Sequence, residues 1–133
     1  MKTNPRIHAR PLLLAAALAA LSFGAAGCGM LDTSSHGSVV AWIQGTLEVN
    51  LGADYEKVYR ATQGALKDLQ FTPVSDKKDA LNAELVARTA LDKKVEITLT
   101  KAGERVTKVE IHIGVVGDQD MSQLVLERIK RGL

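Results

Sequence analysis

The sequence predicts an α+β fold, an antiparallel sheet with two helices packed on one face, and three observations carry that prediction. Apolar and polar residues alternate at period two in several short segments between Val39 and Val116. Two stretches, after Asp54 and after Asp120, change to the i, i+3, i+4 spacing of amphipathic helices. The consecutive strand-like segments are joined by short polar turns, which suit hairpins and not parallel crossovers. The predicted order is β-α-β-β-β-β-α in one domain, residues 39–133, long enough for a modest core.

The first strand runs from Val39 to Val49. At period two, Ala41, Ile43, Leu47 and Val49 share the inner face, and Gln44, Thr46 and Glu48 share the outer one. Trp42 falls outward by the same parity. Gly45 falls inward and marks a bulge or a close helix approach. Asn50-Leu51-Gly52 makes a turn, and Asp54 is the N-cap of the first helix. From Asp54 to Gln70, the residues Tyr55, Val58, Tyr59, Thr62, Ala65, Leu66 and Leu69 form one buried stripe. At that spacing the two tyrosines read as core residues with polar tips, in preference to an aromatic ligand site. Gly64 allows close packing on the sheet.

Phe71–Ser75 is the next strand, and Pro73 places it at a sheet edge or a strand start. Asn82–Ala90 alternates loosely. Val95–Thr100 alternates well, with Val95, Ile97 and Leu99 on one face. Val106–Val116 is clearest, with Val109, Ile111, Ile113 and Val115 inward against Lys108, Glu110 and His112 outward. Leu91-Asp92-Lys93-Lys94 and Ala102-Gly103-Glu104 supply the hairpin turns. Gly117-Asp118 ends the last strand, and Asp120 with Gln123 forms a capping box. Met121, Leu124, Val125 and Ile129 are the apolar stripe of the final helix. Arg128, Lys130 and Arg131 sit at its negative end.

Ahead of this domain lies a different kind of sequence. Lys2, Arg6, His8 and Arg10 precede an apolar run from Leu12 to Phe23, which ends in Ala25-Ala26-Gly27-Cys28. About a dozen apolar residues are too few to span a bilayer, where roughly 20 are needed. The order is that of a secretory signal, residues 1–27, ending at a lipid-modified cysteine. A lipobox usually has Leu three residues before the cysteine, where this chain has Ala25. Two other readings stay open: ordinary cleavage leaving a free thiol, and an uncleaved anchor. Cys28 is the sole cysteine, and an unpaired thiol is a liability in an oxidising compartment, so acylation is the favoured reading.

Residues 28–38 then comprise the acylated Cys28 and a Gly/Ser-rich tether. His36 in that tether reads as a solvated residue and not a metal ligand. The charge balance changes with the signal. The full chain has 17 Lys/Arg against 15 Asp/Glu. Loss of Lys2, Arg6 and Arg10 leaves a formal charge of −1. That gives no case for nucleic acid as a partner.

Motifs for chemistry are mostly missing. The sequence has no Cys-x-x-Cys, His-Glu-x-x-His, Walker loop or dinucleotide glycine fingerprint. Ser75-Asp76-Lys77-Lys78 satisfies Ser-x-x-Lys but sits in a charged turn without its partner motifs. No catalytic residue, cofactor or metal is assigned, and the protein is read as not an enzyme. His112 with Glu110, and with Glu96 and Thr98 if the strands pair in register, could bind a metal or act as a base. A solvated sheet face with cross-strand charge pairs is the preferred account. An outward Trp42 marks a partner contact or a fold over the sheet edge near the membrane.

Gly-Thr-Leu-Glu at Gly45–Glu48, the Tyr-bearing helix, the strand meander and the tail from Ile113 to Ile129 (IGVVGDQDMSQLVLERI) together resemble a family of short bacterial lipoproteins of unknown function. The resemblance covers nearly the full length. It implies a lipid-anchored envelope protein, with a diacylglyceryl thioether and an amide-linked acyl chain such as palmitate on Cys28. Gly29 after the cysteine, in place of Asp, implies the outer membrane, facing the periplasm. The element order is also similar to the helix-grip domains of outer-membrane assembly lipoproteins, a likeness of fold only.

Two functional classes follow. The first is a noncatalytic interaction module, held in the membrane lipid by Cys28, that meets another envelope protein through its open sheet face or an edge strand, with Trp42, Thr98, Glu110 and His112 as the expected surface. Substituting those residues is expected to cost binding and not stability. The alternative is a periplasmic small-ligand or metal-binding protein with a pocket between helix and sheet. Few polar residues lie in the inward stripes, which disfavours the alternative. Nothing in the sequence fixes an oligomeric state.

Overall fold

A computed structural model describes residues 38–133. The expected signal segment and tether, with Cys28 and His36, lie outside the described residues. The elements are β1 (Val40–Ile43), β2 (Thr46–Leu51), α1 (Tyr55–Asp68), β3 (Thr72–Lys78), β4 (Asn82–Arg88), β5 (Lys94–Gly103), β6 (Val106–Ile113) and α2 (Gln119–Arg131). The fold is α+β, with six antiparallel strands in one sheet in the order β1-β2-β6-β5-β4-β3. Both helices pack on one face. Among the described residues no helix is long and apolar enough to cross a membrane.

Alternation builds the core. Leu47 and Val49 on β2, Val109, Ile111 and Ile113 on β6, Val95, Ile97 and Leu99 on β5, and Leu85 on β4 are buried on the helix side. Val58, Ala65 and Leu66 of α1 and Val125, Leu126 and Ile129 of α2 close over them. Each large aliphatic side chain removed from water contributes about 1.5–3 kcal/mol, so this layer dominates the stability. Thr62 and Thr107 are buried too. Their hydroxyls donate to the Val58 carbonyl at 2.8 Å and the Ala53 carbonyl at 2.9 Å. Ser122 is the exception among the described residues: its Oγ is buried without a partner.

The opening segment is a hairpin, where one strand was expected. Gln44 and Gly45 take φ of 47° and 83°. Positive φ at both central positions makes the tight two-residue turn whose twist matches that of its strands. The turn reverses the parity of what precedes it. Val40 faces Val49 and Trp42 faces Leu47, while Ala41 faces Glu48 and Ile43 faces Thr46. Trp42 therefore lies on the helix side and not outward, and Ala41 and Ile43 lie on the open side.

Gly45 does make a close approach, though not to a helix. A Cβ there would collide with the Val116 carbonyl, and one at Gly117 would collide with the backbone of Gly45. The first turn and the β6–α2 loop are thus in backbone contact. Gly117 has a φ of 92°, so its conformation as well as its neighbour demands glycine.

Several boundaries differ from expectation. β6 stops at Ile113 because Gly114, at φ 79°, turns the chain out of the strand. Val115, expected inward, is 96 % exposed, and Val116 is 85 % exposed. The N-cap of α2 is Asp118 and not Asp120. Its carboxylate accepts from the Met121 N–H at 3.1 Å. The turn of α2 on the sheet buries Ser122 and Leu126, while Leu124 is exposed and Met121 only partly covered. Asp54 caps α1 by its extended backbone, without a side-chain hydrogen bond. β3 runs on to Lys78 and occupies a sheet edge, as Pro73 implied.

Candidate functional site

The helix-free face of the sheet carries the residues singled out from the sequence. Non-local pairing of β2 with β6 sets Thr46 opposite His112 and Glu48 opposite Glu110. On the other side of β6, β5 sets Glu96 opposite His112 and Thr98 opposite Glu110. Thr98, Glu110 and His112 are therefore brought together, and with Thr46 and Glu96 they line a shallow depression of about 290 Å³. Trp42 does not join them, because it is on the opposite face.

The charges of this face are largely satisfied. Lys108 lies between two carboxylates, 2.9 Å from Glu110 and 3.2 Å from Glu48. Hydrogen bonds to Glu110 and then Glu48 hold its ammonium above the usual lysine range. Glu96 is 2.8 Å from Lys94. The His112 Nδ1 and the Thr46 Oγ1 are 3.3 Å apart, within hydrogen-bond reach. Among the described residues, no three His, Cys, Asp or Glu side chains converge as metal ligands would. What the face offers chemically is a patterned, half-buried set of donors and acceptors, able to match a polar surface. Each exposed ion pair contributes little stability.

Ser75 and Lys78 are on opposite sides of β3. Ser75 pairs with Val86 on the open side, and Lys78 pairs with Ala83 on the helix side. The Ser-x-x-Lys pattern thus cannot place its lysine beside its serine.

A second cluster was only partly legible in the sequence. The Tyr59 hydroxyl donates to the Asp76 carboxylate at 2.9 Å, and Gln63 Nε2 donates to the same carboxylate at 2.8 Å. The Lys78 ammonium sits 4.7 Å from the centre of the Tyr59 ring and 2.8 Å from Glu56. Tyr55 is buried, and its hydroxyl donates to the Asp79 carbonyl at 3.1 Å. Burial, and then the hydrogen bond to Asp76, pushes the Tyr59 phenol up to about 12. Burial raises Tyr55 as well, followed by the nearby Asp79 charge. Asp79 is held below its ordinary value by the N–H groups of Leu81 and Asn82. Together these side chains clasp α1 to the β3 edge, as polar-tipped tyrosines do.

Two further surface features lie apart from this face. Lys57, Arg60, Arg128 and Arg131 rim a groove between the helices whose floor is Ala61, Gly64 and Ala65. Val115, Val116 and the 82 % exposed Leu91 project at the end of the sheet where β4, β6 and the first turn meet. Lys93 bridges to Asp118 there at 2.8 Å, which lowers the Asp118 carboxyl and fixes the start of α2.

The class defined by this architecture is a small α+β domain with one filled helix–sheet layer and one open polar sheet face. Comparison of sequences carries it further: the chain belongs to DUF3568, a protein family of unknown function, whose profile matches residues 11–132. No curated protein matches it.

Proposed function

We propose that this chain is a lipid-anchored protein of the bacterial cell envelope, held by acylated Cys28, which acts as a noncatalytic interaction module. The single observation that supports it most is the placement of the only cysteine. It follows Gly27 at the end of a short apolar run, and a Gly/Ser-rich stretch separates it from a domain whose first strand begins at Val40. By its resemblance to lipoproteins with Gly after the cysteine, the anchor is in the outer membrane and the domain faces the periplasm. The polar face of Thr46, Thr98, Glu110 and His112 supports an envelope protein as the partner, since its carboxylates are paired with lysines and it presents hydroxyl and imidazole groups that can match another polar surface.

The test is the intact mass of the protein taken from membranes, beside a Cys28→Ser control. A product beginning at Cys28 and heavier by acyl chains, lost in the control, is the expected result. A soluble product of unmodified mass overturns the anchor. A second reading, small-ligand or metal binding, draws on the depression beside His112. It requires a rise in melting temperature with added divalent metal that His112→Ala abolishes.

A further inference from the structure

β1 ends the sheet without the devices that usually blunt an edge. Val39-Val40-Ala41-Trp42-Ile43 has no charge, no proline and no glycine. The helix layer packs mainly on the other strands: α1 lies over β5, β3 and β6, and α2 over β6 and β2. Trp42, although on the helix side, is consequently 37 % exposed, and Val40 beside it is 44 % exposed.

The register dictates which backbone groups are unspent. A two-residue turn makes Ile43 and Thr46 a hydrogen-bonded pair, and such pairs alternate with non-hydrogen-bonded ones along the ladder. Ala41 and Ile43 therefore use their N–H and C=O groups on β2. Val40 and Trp42 have no partner for theirs among the described residues and present them to the edge.

We infer that β1 pairs with β1 of a second copy of this chain, antiparallel about a two-fold axis at Ala41, joining two sheets into one. The commitment to a second copy rests on self-complementarity. Pairing about Ala41 sets Val40 opposite the partner's Trp42, and these are the residues with free backbone groups. It sets Val39 opposite the partner's Ile43 on the open side. Every facing pair is apolar, and each matches the correct face. The exposed part of Trp42, at the rim of the sheet, receives the partner's Val40 as its cover. A strand of four residues a side, with Val39 ahead of it, is small against the roughly 800 Å² per partner of a stable interface. The pairing is weak in dilute solution and is read by trapping. This inference goes beyond the anchoring proposal and does not depend on it.

Ala41 and its symmetry mate form a non-hydrogen-bonded pair with Cα atoms about 4.5 Å apart, within disulfide range. The experiment expresses the full chain as Ala41→Cys and oxidises the membranes mildly. Ser75→Cys, half-buried on the open side of the opposite edge, is the collision control. The expected result is a disulfide-linked dimer for Ala41→Cys, at least ~10-fold above Ser75→Cys because paired copies have a high effective concentration. Adding Val40→Lys should abolish it without lowering the melting temperature. Equal trapping at both edges, none at Ala41→Cys, persistence after Val40→Lys, or a different protein trapped in place of the second copy overturns the inference. If Val40→Lys fails to fold, the contrast between the two cysteine variants decides. The unsubstituted chain reports on Cys28. A dimer there means a free thiol and defeats the anchoring proposal, and Ala41→Cys combined with Cys28→Ser then tests the pairing alone.

Discussion

β3 closes one edge of the sheet with Pro73, a register shift between Pro73 and Ser75, and the charges of Asp76, Lys77 and Lys78. α1 reaches over it, with Tyr59 and Gln63 on Asp76 and Glu56 on Lys78. β1 closes the other edge with four uncharged residues, and neither helix packs substantially on it. Both strands are outermost in the same sheet, so the difference is not one of topology. It lies in what the side chains do with a row of unpaired backbone groups. One edge is bent, charged and clasped. The other is straight and apolar, which is the form that recruits another strand.

The contrast can be broken from the β1 side first. Gly117→Val should have the largest effect, because it forces a side chain into the Gly45 backbone at a φ of 92°. A cost of about 3 kcal/mol is expected from combining overpacking with left-handed strain. Urea unfolding measures it, and hydrogen exchange should show the β1–β2 amides released before those of β3. Trp42→Ala comes next, at about 2 kcal/mol, since the residue is only 37 % exposed. A thermal melt identical to wild type would mean that the ring is not seated on the helix side. This differs from the expectation for an outward Trp42, whose loss was to cost binding alone.

From the β3 side the effects are smaller. Tyr59→Phe removes a half-exposed hydroxyl from Asp76 and should cost about 0.5 kcal/mol by chemical denaturation, with solvent screening the remainder. Alkaline pH sharpens the comparison. The Tyr59 phenol is raised in the fold to about 12, from an ordinary value near 10. Its neutral form is thus favoured by folding. The contribution is full below pH ~10 and is lost as pH rises through about 12. In a Tyr55→Phe background, phenolate absorbance should rise with a midpoint near the higher value. A midpoint near 10 would show the clasp open in solution. The β1 edge, Val40–Ile43, has no titratable side chain and should not respond. Val40→Lys is the smallest change expected, within about 0.5 kcal/mol for an exposed position.

Much of this fold was legible where one signal acted alone. Val95, Ile97 and Leu99 on β5, and Val109, Ile111 and Ile113 on β6, alternate without competing residues and are buried as expected. The α1 stripe was legible for the same reason. Legibility failed where two signals overlapped. Gln44-Gly45 lacks the Asn-Gly or Asp-Gly signature of its turn type, so the β-branched run around it read as one strand. Val115 continues the β6 alternation and Val116 the apolar run, and only the positive φ of Gly114 ends the strand. Asp118 and Asp120 both suit an N-cap, and the choice falls to the first, whose carboxylate accepts from Met121 and pairs with Lys93. At the open face, alternation placed Glu110 and His112 correctly. Thr46 was missed because its neighbour His112 is 66 residues away and only the β2–β6 pairing joins them.

That pairing also sets a timetable. β2 lies between β1 and β6, and its second neighbour is the last strand in the chain. A polypeptide emerging from its amino end can form the opening hairpin, but an isolated hairpin is marginal in water. Until residues 106–113 arrive, β2 has an edge with nothing to dock on, and long-range closure of this kind is slow. The half-made chain therefore stays pliant, and its final packing is deferred until the sheet can close around β2.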